Sequence, residues 1–352
     1  MKLYVITLAV ACGLAAMLCA QDTGTQVVSL RSTTIGVMPM SHPAWIESAA
    51  CDGAGNVYLR PLGTYPGFNE KHYQAPVQKI TPQMNVAAKF QIADAFPDGE
   101  AGPFSVQDGR LFVLAETRQG LFVVEFAADG SVKAKTKLRT DAYVQALHLA
   151  VFNSGEYLVV GVTGKPTVTS TGPDLRTPFT GVFAADGHLI KKVYEPEDEE
   201  ARQRAEGLDP GYDPPGVANS GNLFVYYSAD VTAGSDGNVY LLHGGPSHLI
   251  YVISPTGDVL RKFGIDTADP DFKTNSIKFY DGRLVIGFDW LSHVPPGLVK
   301  VVDLKGNSVA DYKIAEITAD SSPLLACYNA AGLTLIPRGA DTTLHLLNVK
   351  LP

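Results

Sequence analysis

One spacing recurs along this chain and limits the folds that it can adopt. Two kinds of turn alternate: one opens a strand, as at Gly237-Asn238-Val239-Tyr240, and the other joins two strands, as at Pro255-Thr256-Gly257. From each joining turn to the next opening turn the steps are 84→109, 130→155, 187→237, 257→282 and 306→332, which are 25, 25, 50, 25 and 26 residues. This regularity indicates one structural unit repeated along the chain.

The repeated unit contains two hairpins and therefore four short strands. Asp-Gly and related pairs favour hairpin turns because they tolerate positive φ, and the segments between them show almost no helical periodicity. The opening positions are Gly55, Gly109, Gly155, Gly237, Gly282 and Gly332, and the joining positions are Met84, Gly130, Gly187, Gly257 and Gly306. Such a unit is too small to bury its own faces, so its copies must pack against their neighbours. Radial repetition of six units predicts an all-β, six-bladed β-propeller of four-stranded blades.

The sixth unit is one strand short. The chain ends at Pro352, soon after the apolar run at residues 343–349 and before a fourth strand. We therefore expect a strand from the N-terminal region, near residues 25–30, to complete the last blade and close the ring. A long open β-solenoid or a pair of sandwiches are the structural alternatives, and neither explains the equal steps together with the missing strand.

The first twenty residues differ in composition from the rest of the chain. Lys2 precedes an apolar run to Ala20 that contains one polar residue, Thr7, and a polar segment begins at Gln21. This pattern is typical of a secretory signal peptide, so we expect export to the periplasm or the exterior after cleavage. An uncleaved anchor and a lipid-anchored form are the alternatives. Residues 21–352 then form a single domain with no membrane span, and the doubled step contains an acidic insertion at residues 195–219 between blades 3 and 4.

Composition excludes one class of partner. The chain has 352 residues, with 28 Lys and Arg against 36 Asp and Glu, and a formal net charge of −8. Sequence-independent binding to nucleic acid needs clustered Lys and Arg, so we expect no nucleic-acid partner. The sequence also lacks the nucleophile elbow of serine hydrolases and the glycine-rich phosphate loops of nucleotide-binding proteins.

A resemblance to a known superfamily rests on the repeat pattern. The segment at residues 229–265, with Gly-Asn-Val-Tyr, Pro-Thr-Gly-Asp-Val and Phe-Gly-Ile, resembles the NHL-type and TolB-like six-bladed β-propellers. This resemblance implies the fold, and it implies no activity because the fold carries many functions.

The long connections are predicted to share one face of the propeller. The first and third turns of an antiparallel blade lie on one face, whereas the second turn and the crossover to the next blade lie on the other. The long segments, residues 60–76, 163–178, 195–219 and 289–297, are all second turns or crossovers. Loops on a rigid scaffold commonly carry function, although surface loops also simply tolerate insertions. We call this face the decorated face.

Candidate site residues follow from counting along the innermost strands. Seven residues before each opening glycine, the chain should reach the central channel near the decorated face. These positions are Ser48, Gly102, His148, Asp230, Asn275 and Leu325, and Glu47 precedes the first of them. We predict that Glu47, Ser48, His148, Asp230 and Asn275 bind a ligand there, although polar side chains at a wet channel mouth also simply bind water.

Four of these residues also have the side-chain types that hold a divalent cation such as calcium. Carboxylate, amide and imidazole groups around one axis favour hard or borderline cations, which makes Glu47, His148, Asp230 and Asn275 a candidate metal site. Resemblance to the lactonases similar to gluconolactonase implies acidic and amide ligands in this part of the propeller, and His148 departs from that pattern. The alternative function is accordingly a metal-dependent hydrolase or lyase.

Two cysteines, Cys51 and Cys327, remain after removal of the first twenty residues. They lie in the innermost strands of blades 1 and 6, which are neighbours in a closed ring. The pair is expected either as a disulfide, which suits an oxidising compartment, or as two buried thiols that fill the core. Our first functional expectation is an exported, monomeric propeller that binds a small molecule or a protein or peptide partner on its decorated face.

Overall fold

The chain forms six sheets, which are the six blades of a β-propeller, in a computed structural model. Each blade has four antiparallel strands, and one blade carries a fifth, parallel strand at its outer edge. The structure describes residues 27–39, 44–63, 75–163, 177–193, 228–243, 248–265, 274–288, 297–315, 317, 323–337 and 343–352. The predicted fold class is confirmed. Among these residues there is no helix with the length and apolar character needed to cross a membrane.

The first two strands are β1 (Val27–Leu30) and β2 (Thr33–Pro39). Blade 1 follows with β3 (Ala44–Cys51), β4 (Val57–Gly63), β5 (Val77–Ile80) and β6 (Val86–Phe90). A single helical turn at Ile92–Ala95 leads to blade 2, which contains β7 (Glu100–Gln107), β8 (Arg110–Thr117), β9 (Gly120–Phe126) and β10 (Val132–Lys137). Blade 3 contains β11 (Val144–Val151), β12 (Tyr157–Thr163), β13 (Thr177–Phe183) and β14 (Leu189–Lys192).

The remaining three blades repeat this order. Blade 4 contains β15 (Ser228–Ala233), β16 (Val239–His243), β17 (Leu249–Ile253) and β18 (Val259–Gly264). Blade 5 contains β19 (Thr274–Tyr280), β20 (Arg283–Phe288), β21 (Leu298–Asp303) and β22 (Ser308–Ile314). Blade 6 contains β23 (Pro323–Asn329), β24 (Gly332–Pro337) and β25 (Thr343–Val349). The strands β3, β7, β11, β15, β19 and β23 are the innermost, and they contact one another around the ring.

The turn positions on which the repeat was recognised share one backbone conformation. All ten glycines counted as opening or joining positions have positive φ, and so does Met84, with a φ of 62°, at the joining position that lacks glycine. Asp108 and Asp281 also have positive φ and form two-residue hairpins with the glycines that follow them, which is the type I′ arrangement that matches strand twist.

The Gly-Asn-Val-Tyr motif stabilises the turn in which it lies. In blade 1, Asn56 Nδ2 donates to Asp52 Oδ2 at 2.8 Å and the Tyr58 hydroxyl donates to the same oxygen at 3.2 Å. The copy in blade 4 repeats this arrangement around Asp236, whose Oδ2 accepts from the Tyr240 hydroxyl at 2.7 Å. The motif thus joins an opening turn to the strand that follows it.

The core consists of six apolar clusters, and each lies between two neighbouring blades. Successive residues of one strand point to opposite faces of its sheet. In β8, for example, Leu111 and Val113 pack against blade 1, whereas Phe112 and Leu114 pack against blade 3. Both faces of each blade are therefore covered, which explains why the second strands are almost continuously apolar.

The ring is closed by an N-terminal strand that completes the last blade, as predicted. This strand is β2, which pairs antiparallel with β25, so it begins a few residues after the segment expected from the sequence. Part of that segment, Val27–Leu30, instead adds a fifth strand to blade 5 through parallel pairing with β22. A Cβ at Gly36 would overlap the side chain of Met84, so β2 requires glycine where it passes the joining turn of blade 1.

Candidate functional site

Every innermost strand has a β-bulge within its first five residues. The register against the second strand of each blade shifts between Ile46 and Ala49, Ala101 and Phe104, Ala146 and His148, Ser228 and Asp230, Thr274 and Ser276, and Leu325 and Cys327. A bulge bends the strand and redirects side chains, and bulges are common beside functional sites. The shift in blade 6 faces Thr334 and Leu335, which lie closer to the opening glycine than the residues that face the other five shifts. We call the part of the innermost strands that contains the six shifts the bulge level.

The candidate positions counted from the opening glycines lie at the bulge level. Ser48, Gly102 and Asn275 are bulged residues themselves, and His148, Asp230 and Leu325 flank the bulges of their strands. Sequence counting thus selected positions at or beside the bulges, although it did not predict a bulge.

Asp230 accepts three hydrogen bonds, and two of them join blades 4 and 5. Its Oδ2 accepts from Lys278 Nζ at 2.7 Å and from the backbone N–H of Ile277 at 3.1 Å, and its Oδ1 accepts from the backbone N–H of Val231 at 2.9 Å. The two charged side chains remain partly accessible, at 21% for Asp230 and 17% for Lys278. The sequence analysis missed Lys278, because its pairing depends on the alignment of two different blades.

Asn275, Ser48 and His148 supply the other predicted polar groups. The Asn275 side chain donates to the carbonyl of Phe288 at 3.1 Å and accepts from Ser276 Oγ at 2.9 Å, which fixes its orientation. Ser48 Oγ is buried and has no hydrogen-bond partner within the described residues. His148 is half-buried, and the bulged Leu147 beside it is 44% exposed. Blades 3, 4 and 5 thus place imidazole, carboxylate, ammonium and amide groups on three consecutive innermost strands.

A buried arginine stabilises the bulge of blade 2. Arg60 is 4% exposed, and its Nη1 donates to the carbonyls of Ala101 and Gly102 at 2.9 and 2.7 Å. Carbonyl groups at a bulge lose part of their ladder pairing, so the guanidinium of blade 1 satisfies groups that the sheet of blade 2 cannot. The only sequence indication of this role is a single arginine within an apolar strand.

Glu116 lies at the same level between blades 2 and 3. Its carboxylate accepts from the Tyr143 hydroxyl at 2.8 Å and from the backbone N–H of Ala146 at 3.1 Å. Burial raises the pKa of Glu116; these two hydrogen bonds oppose that effect, and the charge of the cross-strand neighbour Glu100 adds to it. The sequence analysis missed this carboxyl group, because its burial depends on the neighbouring blade.

The described part of the proposed metal site is not arranged as a set of cation ligands. Lys278 places an ammonium group beside Asp230, where it would repel a divalent ion, and no group of three or more His, Cys, Asp or Glu side chains in the described residues is suitable for a metal. The side chain of Glu47 lies outside the described residues. The set Glu47, His148, Asp230 and Asn275 therefore stays a prediction.

Most of the residues in the four long connections, including the whole acidic insertion at 195–219, lie outside the described residues. The cysteines are described. Cys51 and Cys327 are joined as a disulfide with their Cα atoms 5.5 Å apart, and Cys327 is 1% exposed within the apolar cluster between blades 6 and 1.

Comparisons with known proteins reach only the overall fold. No family model matches the sequence, and no curated protein matches it. Similar solved structures include a protein of unknown function from Bacteroides caccae, which is 15% identical with a TM-score of 0.49 and covers 83% of this chain and 95% of its own. The Pan2 WD40 domain of Neurospora crassa is 11% identical with a TM-score of 0.48, covering 92% of this chain and 97% of its own. YCF48 bound to a D1 peptide is 10% identical with a TM-score of 0.47, and the match covers 89% of this chain and 82% of the YCF48 chain. Similarity at this level carries no argument about function.

Proposed function

We propose that the protein is an exported β-propeller of the NHL type that binds a polar ligand at the bulge level of its central channel. Export is supported by the composition of residues 1–20, and the NHL type by the Gly-Asn-Val-Tyr motif that recurs in blades 1 and 4. Binding is supported by one structural observation above all. The innermost strands of all six blades carry a bulge near their starts, and three adjacent blades have polar side chains at or beside it.

The chemistry of these side chains defines the kind of ligand that fits. Asp230 and Lys278 together offer an acceptor and a donor of opposite charge, and Asn275 offers an amide on the same innermost strand as Lys278. A ligand with hydroxyl, carboxylate or amine groups matches these side chains. Such groups occur on a free small molecule and on the side chains of a protein or peptide partner.

The metal-dependent hydrolase or lyase is the alternative function, and it depends on Glu47. The ammonium of Lys278 at 2.7 Å from Asp230 opposes a cation at this position, which favours the binding function. Elemental analysis of the purified protein separates the two functions. A stoichiometric divalent ion that disappears in a Glu47→Gln variant would contradict our proposal, whereas a metal-free protein supports it.

The direct test is a thermal-shift screen of sugars, sugar acids, amino acids and dicarboxylates. Asp258→Asn is the matched control for Asp230→Asn, because Asp258 also pairs with a lysine of a neighbouring blade, Lys191 at 2.6 Å, but at the exposed outer rim. We expect a compound that stabilises the original protein to bind at least about tenfold more weakly to the Asp230→Asn variant, which corresponds to about 1.4 kcal/mol. Its binding to the Asp258→Asn variant should be unchanged.

The same two variants give a prediction for stability without a ligand. Asp230 is mostly buried and Lys278 would lose its partner, so we expect Asp230→Asn to lower the free energy of unfolding by about 1–2 kcal/mol. The exposed pair at the rim should show no measurable loss. Equal ligand binding by the Asp230→Asn variant and the original protein would contradict the site at the bulge level.

A further inference from the structure

The junction of blades 6 and 1 is closed in a different way from the other five interfaces. Blades 1 to 6 follow one another along the chain, but blade 6 is completed by β2, which comes from the opposite end of the sequence. Pairing of β2 with β25 connects the two ends of the chain at the outer edge of the ring. We call this junction the seam.

The disulfide connects the seam at the inner edge of the ring. Cys51 lies at the end of β3 and Cys327 lies in β23, and these are the innermost strands of blades 1 and 6. Cys327 directly follows the bulge of β23. The seam is therefore fastened twice, by strand pairing outside and by a covalent bond beside the channel.

The other interfaces use non-covalent contacts at a comparable height. Near the opening turns, hydrogen bonds cross the first three interfaces: the Tyr58 hydroxyl donates to Gly109 O at 3.3 Å, Gln107 donates to Asn153 at 2.6 Å, and Asn153 donates to Gly234 O at 3.2 Å. Aromatic contacts cross the next two interfaces. The rings of Tyr240 and Phe279 stack at 5.5 Å, and those of Tyr280 and Tyr328 meet edge to face at 5.4 Å. A thiol reductant would therefore break the disulfide at the seam and leave these non-covalent contacts unchanged.

We propose that the Cys51–Cys327 disulfide is a redox-sensitive clasp, whose reduction loosens the seam while the other five interfaces stay closed. The two cysteines differ in exposure, since Cys51 is half-buried and Cys327 is 1% exposed. A thiolate of an external dithiol attacks Cys51 Sγ, the S–S bond breaks, and the sulfur of Cys327 leaves and takes up a proton. The second thiol of the reductant then displaces Cys51, so the reductant becomes a disulfide and both cysteines become thiols.

The reduced seam is expected to open locally. Proteins open in cooperative units, and the least stable contacts open first. After reduction, the seam retains its apolar cluster and the pairing of β2 with β25, so the propeller remains folded. It loses, however, the covalent link between β3 and β23, so these two strands can separate while the other five interfaces stay closed.

The experiment compares the oxidised protein, the protein reduced with dithiothreitol, and a Cys51→Ala, Cys327→Ala double variant. Peptide mapping without reduction first identifies the linked pair. We expect the melting temperature to fall by roughly 5–10 °C on reduction, and the double variant to show no response to dithiothreitol. Hydrogen exchange should become faster in β2, β3, β23 and β25, whereas β12 and β16 serve as internal controls and keep their protection.

Three results would overturn the proposal. They are free thiols at both cysteines in the oxidised protein, an unchanged melting temperature after complete reduction, and a loss of exchange protection that is equal in all six blades. The last result would make the bond a general stabiliser of the fold. If the double variant fails to fold, exchange in the reduced original protein still decides between local and general opening.

Discussion

The apolar clusters between the blades and the bulge level of the channel are built on the same strands but differ in how they vary around the ring. The clusters are alike: each consists of branched aliphatic and aromatic side chains from two facing sheets. The bulge level differs from blade to blade, from His148 and Asp230 to the buried Leu325. Every interface between blades must be filled by apolar side chains, so the clusters are similar. The residues at the bulge level do not fill these interfaces, so their side-chain types can differ from blade to blade.

The largest expected effect follows from removal of the strand that lets the last cluster close. A chain that starts at residue 40 lacks β1 and β2, so the edge of β25 and the cluster beside it are exposed to solvent. We expect aggregation, or a melting temperature more than about 10 °C lower. A chain that starts at residue 31 lacks β1 alone, and its melting temperature should lie within a few degrees of that of the protein that retains both strands.

Thermal unfolding and size-exclusion chromatography of the two truncated chains check this prediction. β1 only adds a parallel strand to the outside of blade 5, which makes its deletion the matched control. Equal melting temperatures for the two truncated chains would show that β2 does not close the ring.

Core truncations test whether the clusters are equivalent. Leu59 and Leu241 each lie four residues after an opening glycine, in the second strands of blades 1 and 4, and both are fully buried. Leu59 packs at the seam, whereas Leu241 packs between blades 3 and 4. We expect Leu59→Ala and Leu241→Ala each to lower the free energy of unfolding by about 2–5 kcal/mol, because each leaves a cavity of similar origin.

Urea unfolding of the oxidised protein measures both variants. If Leu59→Ala lowers the free energy of unfolding by much less than Leu241→Ala does, the seam is packed less completely than the interface between blades 3 and 4. The assumption of six equivalent clusters would then be wrong.

The sequence predicts the repeated part of this molecule and little of the part that varies. Turn positions were found because positive φ selects glycine, and even Met84 was found from its place in the spacing. The closing strand was located several residues too early, since residues 27–30 and 33–37 are both rich in β-branched side chains and only the pairing partner distinguishes them.

The sequence indicated which positions lie at the bulge level, but it did not predict the bulges or the contacts between blades that form there. A bulge is a mismatch between two strands, and most of the six have no glycine or proline to mark them. Arg60 and Lys278 were missed for a related reason, because each contacts a strand of a neighbouring blade. Interactions between blades depend on how neighbouring sheets align, and the spacing of the repeat does not specify that alignment.

The smallest expected effect is a pH dependence at the bulge level, in contrast to the apolar clusters, which do not titrate. The pKa of Glu116 is raised by burial, against the hydrogen bonds from Tyr143 and Ala146, and further by Glu100. A carboxyl group whose pKa is higher in the folded than in the unfolded state does not lower the free energy of unfolding at low pH, because it is protonated in both states. Stability is lost as the pH rises from the unfolded pKa through the raised folded pKa.

Glu116→Gln removes this loss and keeps an oxygen that can accept from the Ala146 N–H. We expect the variant to be more stable than the original protein at pH 7.5, by on the order of 0.5 kcal/mol, and the difference to shrink towards pH 4. Glu100→Gln is the control, because it removes only the neighbouring charge and should give a smaller gain with the same sign. Urea unfolding at the two pH values measures both variants. If Glu116→Gln changes the stability by an equal amount at both, the ionisation of Glu116 does not affect folding, and the bulge level is as insensitive to pH as the apolar clusters.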